Sequence, residues 1–141
     1  MRAAMKTKSI PIAILVAFIA IWSTDFLIHG VWLAPDYQAT AHLWRPRVEM
    51  MARLPWVLLG QFLVAAAFTL TFAAGVAEKR SLSCTLKFSA CVGLFLGGGQ
   101  VITYAVSPQP GLLVAKWFCA GLVQMIVLGL VVHRVYLPKG Q

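Results

Sequence analysis

Negative charge is scarce in this sequence: Asp25, Asp36, Glu49 and Glu78 are the only acidic residues among 141. Charged residues of both signs together make up 11%, against about 25% in a soluble globular domain. Hydrophobic residues make up 60%. A soluble chain this short could not bury so much apolar surface, so an ordinary water-soluble domain is excluded. Cysteine is sparse as well. Cys84, Cys91 and Cys119 are odd in number and form no C-x-x-C pair, so a disulfide framework or a zinc site has no support. They read as small apolar packing residues. His29, His42 and His133 show no ligand spacing either, so no metal and no cofactor is expected. No internal repeat relates the two halves, which leaves an inverted-repeat transporter without direct support.

Positive charge is what remains, with a net of +8. Its placement argues against nucleic acid. Lys and Arg fall at the edges of apolar runs rather than on one patch, the pattern of a membrane protein meeting anionic head groups.

Four apolar runs are long enough to cross a bilayer, for which about 20 helical residues suffice. They extend from Ile10 to Leu33, Pro55 to Ala77, Cys84 to Val106 and Gly111 to His133. Only helices or closed barrels satisfy backbone groups in lipid, and these runs lack the alternation of barrel strands. The expected fold is all-α: an integral membrane four-helix bundle forming a single domain, with a short interfacial helical segment between the first two spans. Pro55 suits a first helical turn, where its missing N–H costs nothing. Glu78-Lys79-Arg80-Ser81 is a tight hairpin, Ser107-Pro108-Gln109-Pro110-Gly111 a second turn, and Pro138-Lys139-Gly140 ends the chain. The N-terminal run continues past the length of a signal peptide without a convincing cleavage site, so an uncleaved anchor is expected.

Orientation follows from the cations. Arg2, Lys6, Lys8, Lys79, Arg80, Lys87, Arg134 and Lys139 share one side; Arg45, Arg47, Arg53 and Lys116 share the other. The richer side is cytoplasmic by the positive-inside rule, which places both termini inside and the 34–54 loop outside. In that loop Tyr37, Ala41, Trp44, Val48 and Met51 recur at helical spacings. One or two short amphipathic helices broken near Pro46 are expected, with Tyr37 and Trp44 at head-group level and Arg45, Arg47, Glu49 and Arg53 facing water or phosphate.

The polar residues inside the runs share a depth. Measured inward from the expected outer boundary, Asp25 lies roughly 12 Å deep, His29 roughly 6 Å, Gln61, Gln100 and Lys116 roughly 8–9 Å, and Tyr104 roughly 3 Å. The inner half has few polar groups; Gln124 sits near the middle, and His42 and His133 fall at or beyond the membrane edge. Intramembrane ionisable groups normally face protein or water, so Asp25, His29, Gln61, Gln100, Tyr104 and Lys116 form a candidate outward-facing polar pocket. Asp25 and Lys116 are the expected ion pair. Gly93 and Gly97 form a G-x-x-x-G face for close helix packing. Gly97-Gly98-Gly99 either loosens the helix locally or leaves room for a bulky neighbour such as Trp22. The competing reading of the polar residues is that they only bind helices together, and that Lys116 snorkels to the head groups.

Asp25-Phe26-Leu27-Ile28-His29-Gly30-Val31-Trp32-Leu33, with Tyr37, Leu43-Trp44-Arg45-Pro46 and Tyr104-Ala105-Val106-Ser107-Pro108-Gln109-Pro110-Gly111, resembles a group of small uncharacterised bacterial proteins predicted to cross the inner membrane four times. The resemblance covers most of the chain. It implies a bacterial inner-membrane protein and carries no activity and no catalytic residue. In size the chain is also similar to small multidrug-resistance transporters, whose first helix holds an essential carboxylate. It departs from them in the position of Asp25 beyond the helix midpoint, in the long 34–54 loop, and in the presence of Lys116.

Three functions compete. The first is a non-enzymatic accessory protein that binds lipid or a partner, the partner being another membrane protein or further copies of the chain. The second is an oligomeric proton-coupled small-solute transporter using Asp25 and His29, although the cytoplasmic half offers little polar path. The third, an enzyme with His29 as acid or base, ranks last because no nucleophile or metal set accompanies it.

Overall fold

The computed structural model describes residues 2–137, and side chains from Ile10 onward. Pro138-Lys139-Gly140, with the Lys139 charge, lies outside the described residues, as do the side chains of Arg2, Lys6 and Lys8. The described chain is all-α and contains no strand. Helix α1 spans Arg2–Asp25 and runs on as a π-helical turn, Phe26–Trp32. Two short helices follow, α2 at Ala34–Ala39 and α3 at Arg47–Ala52, with a 3-10 turn at Ala41–Leu43 between them. Three long helices complete the fold: α4 at Leu54–Gly75, α5 at Leu82–Val106 and α6 at Gly111–Tyr136. The four segments Ile10–Trp32, Leu54–Gly75, Leu82–Val106 and Gly111–Tyr136 are long and apolar enough to cross a membrane. The chain is a multi-pass membrane protein.

The turns follow from the residues in them. Pro55 occupies the first turn of α4. Arg80 adopts the left-handed conformation, φ 44°, that closes the hairpin after α4. Ser81 then caps α5 by accepting a hydrogen bond from the Cys84 amide. Between α5 and α6 the Gln109 amide donates to the Ser107 carbonyl at 2.8 Å, a three-residue turn centred on Pro108.

Helix α6 is central: α5 packs on one side of it and α1 on another, while α4 packs on α1. The α5–α6 approach is the closest. A Cβ on Gly93 would lie 3.0 Å from Leu122 Cα, and one on Gly97 only 2.6 Å from the Phe118 ring. A Cβ on Gly129 would fall on the Ser89 hydroxyl. The space beside Gly97 is therefore taken by Phe118, not by Trp22, which is exposed. Alanines do the same work on α1, where Ala13, Ala17 and Ile21 recur every four residues and are buried. Facing them in one core are Ala65, Phe68 and Phe72 of α4 and Met125, Leu128, Val132 and Tyr136 of α6. Helix α4 meets α5 through long aromatic side chains, Phe68 and Phe72 against Phe88.

This core fills the end of the bundle nearer the termini. That end is not purely apolar. Thr69, Thr85 and Ser89 are fully buried, and the Thr85 hydroxyl bonds His133 Nδ1 at 2.8 Å across the α5–α6 seam. His133, expected at the membrane edge in water, is a packed residue whose ring also lies edge-on to Phe72.

Candidate functional site

The site lies at the opposite end, where α1 changes its winding. After Asp25 the backbone ladder shifts from i→i−4 to i→i−5, ending with the Leu33 amide on the Ile28 carbonyl at 2.8 Å. π-helical turns are rare and concentrate at functional sites. Gly30 lies within this turn with the Phe26 ring against it, at a distance where a Cβ would make only ordinary contact. Pro35 has no N–H to extend the ladder, and α2 starts there in a new direction.

Asp25 binds three helices together. Its Oδ2 accepts from Gln61 Nε2 of α4 at 2.6 Å, and its Oδ1 from Gln124 Nε2 of α6 at 2.7 Å. The same Gln124 amide donates to Thr24 Oγ1 at 2.7 Å. Thr24 in turn donates its proton to the Ala20 carbonyl. Gln124 thus belongs to the polar layer rather than standing apart from it.

Next to Asp25 begins a chain of donors. His29 Nε2 is 4.0 Å from Asp25 Oδ1, a Coulombic contact too long for a hydrogen bond. Its Nδ1 is 2.6 Å from the Tyr37 hydroxyl, which also accepts from Trp117 Nε1 at 2.8 Å. One assignment of protons suits both neighbours of the ring. Tyr37 donates to Nδ1, and the imidazole carries its proton on Nε2, toward the carboxylate. The other tautomer would aim a lone pair at Asp25 and leave the phenol proton unused. Burial pushes the Tyr37 phenol above its ordinary 10.0, with the nearby carboxylates of Asp25 and Asp36 acting in the same direction and the Trp117 hydrogen bond against it. The hydroxyl therefore stays protonated at neutral pH.

Lys116 does not pair with Asp25. Its Nζ donates to both oxygens of Asp36, at 2.7 and 2.8 Å, and lies 6.0 Å from the centre of the Trp32 ring. Each Asp25 oxygen instead accepts from a glutamine amide, and α2 delivers a second carboxylate to Lys116. Asp36 and Tyr37 thus dock on the consecutive residues Lys116 and Trp117, fixing α2 to α6. Trp44 completes the contact, edge-on to both Tyr37 and Trp117, with its Nε1 donating to Thr40 Oγ1 at 2.9 Å. Tyr37 and Trp44 are half-buried and belong to the site. Arg45 and Arg47 are exposed, and Arg45 lies 3.6 Å from Glu49.

These groups wall a cavity of about 490 Å³ between the π turn, α5 and α6, a volume typical of small-ligand sites. His29, Tyr37, Gln100, Gln109, Trp117 and Gln124 supply its polar lining. Asp25 and Gln61 stand behind it, and Lys116 beside it. Tyr104 is outside: it is exposed, and its hydroxyl sits over Gly111. Among the described residues no cluster of His, Cys, Asp and Glu could hold a metal ion. No family model, no curated protein and no solved structure matches the chain. The residues of the cavity must carry the functional argument unaided.

Sequence reasoning missed Asp36, Gln109 and Trp117. A signal was present for two of them. Asp36-Tyr37 and Lys116-Trp117 are complementary pairs, each placing a charge beside an aromatic hydrogen-bonding group.

Proposed function

We propose that this chain is a non-enzymatic binding protein of the bacterial inner membrane. Both termini are cytoplasmic, and the cavity opens toward the outer face. The orientation rests on the excess of Lys and Arg on the terminal side. The binding role rests on one observation: a cavity of about 490 Å³ lined by hydrogen-bonding side chains in a membrane protein. Polar groups that only glue helices together would face one another, yet Gln100 and one face of His29 line open space. An enzyme would need a nucleophile or a metal set beside His29, and the lining offers neither.

The Tyr37–His29–Asp25 chain favours a second reading, in which an oligomer couples proton movement to transport of a small solute. Met125 and Leu128 stand against it. They are buried between the polar layer and the Thr85–His133 pair, where a proton path would have to pass.

Two-sided labelling separates the readings. A Gln100→Cys chain in which the three native cysteines are replaced by serine is reacted with a membrane-impermeant maleimide from each side of oriented vesicles. The binding reading expects modification from the outer side alone. Equal modification from both sides would favour transport.

A further inference from the structure

A second cleft adjoins the cavity. It measures about 360 Å³ and is lined by Leu27, Trp32, Cys119, Val123 and Val127, with Thr24 at its floor. Ile28, Ala120 and Gln124 line both spaces, which therefore adjoin along the α1–α6 seam. The cleft runs between α1 and α6 on their outer surface, where Leu27 and Val123 are both exposed. In a bilayer that surface meets lipid chains.

The lining of the polar cavity contains neither Lys nor Arg. The nearest ammonium, Lys116, is held by both oxygens of Asp36. A phosphate head would thus be desolvated without a counter-ion. A cationic head would meet no carboxylate in the lining, since Asp25 stands behind it with each oxygen turned to a glutamine amide. An uncharged head finds amide, imidazole, phenol and indole groups.

We infer that the ligand is an uncharged amphiphile, with an oxygen-bearing head in the polar cavity and a single apolar chain in the α1–α6 cleft. The inference rests on the binding role proposed above and specifies its ligand class. Two sources share this chemistry, a quinone on an alkyl chain and a monoacylglycerol. No redox step is implied, because the chain need only hold the head.

The test uses the full chain in phosphatidylcholine nanodiscs, titrated with decylubiquinone, monoolein and lyso-phosphatidylglycerol. Binding is followed by the emission of Trp117, with Trp117→Phe as the blank. Saturable binding of decylubiquinone or of monoolein is expected, and which of them binds identifies the source. The anionic lipid should bind at least about tenfold more weakly. Val123→Phe and Leu27→Phe fill the cleft from opposite walls at exposed positions. Each should weaken the tailed ligand about tenfold while leaving the matching headgroup alone, ubiquinone-0 or glycerol, unaffected. Gln100→Ala with Gln109→Ala should weaken both. If the head alone binds as tightly as the tailed compound and neither cleft variant matters, the chain site is wrong although the polar cavity stands. Preferential binding of lyso-phosphatidylglycerol would overturn the uncharged head. No saturable binding of either uncharged amphiphile would overturn the inference, while the labelling of Gln100→Cys would still decide the binding role independently.

Discussion

Between α5 and α6, Gly93, Gly97 and Gly129 let side chains of one helix rest on the backbone of the other. The links from α1 and α2 to the rest of the bundle at the site are of another kind: Gln61 and Gln124 on Asp25, Asp36 on Lys116, Tyr37 on Trp117. Glycine contacts are short-ranged and tolerate no added atom, so they fix one geometry. Side-chain hydrogen bonds join groups at the ends of rotatable side chains and can be re-formed with another partner. The α5–α6 pair is the frame. The end of α1 is the part that can accept a ligand, and the cavity lies on the boundary between the two.

The sharpest way to break this contrast is through neighbouring glycines. Gly97→Leu drives a side chain into Phe118 and should cost about 3 kcal/mol of unfolding free energy in bicelles, at the upper end for overpacking. Gly98 has nothing within 4 Å of the site a Cβ would take. Gly98→Ala should therefore stabilise by about 0.5–1 kcal/mol, the helix-propensity gain alone. Similar effects at both positions would mean that the seam is not the frame.

Removing the acceptor shared by α4 and α6 should come next. Asp25→Leu removes the acceptor of Gln61 and one of the two acceptors of Gln124, and the same unfolding assay should lose about 1–2 kcal/mol. Smaller still is the link from α2. A double-mutant cycle of Asp36→Asn with Lys116→Met should return a coupling of about 1 kcal/mol, intermediate between exposed and buried pairs. The cycle of Asp25→Asn with Lys116→Met should be additive within about 0.5 kcal/mol. Coupling in the second cycle and none in the first would reassign Lys116.

Tyr37 links stability to pH. Its phenol is raised above 10.0 in the folded chain, so its contribution is fully present below pH 10 and is lost as the pH rises beyond that value. Alkaline unfolding of the native chain should show this loss, accompanied by phenolate absorbance, and Tyr37→Phe should remove that component. The smallest effect belongs to the exposed Arg45–Glu49 pair at 3.6 Å. Glu49→Gln should change stability by less than about 0.5 kcal/mol.

Much of the fold was legible because lipid leaves a chain few choices. Run length located four spans, and Pro55, Glu78–Ser81 and Ser107–Gly111 marked their ends. Shared depth also brought His29 and Gln100 to the wall of one cavity and placed Asp25 and Gln61 directly behind it. What depth could not supply was partner choice. Two acids lay within reach of Lys116, and only the π turn at Phe26–Trp32, which redirects the chain into α2, decides for Asp36. That turn follows from an i→i−5 ladder, which leaves no clear periodic trace in seven residues. Tyr104 had a suitable depth but faces away, because depth says nothing about rotation around the helix axis. His133 was hidden for a similar reason: its partner, Thr85, is 48 residues distant in sequence.

The central claim is that water reaches one end of this bundle through the cavity and stops at the packed core. Gln100 lines the cavity, whereas Val92, two turns earlier on α5, packs against the core. A nitroxide placed at each position in turn, in a cysteine-free chain in nanodiscs, reports its collisions with a water-soluble paramagnetic nickel complex. High accessibility is expected at position 100 and little at position 92. Equal accessibility at the two positions would contradict it.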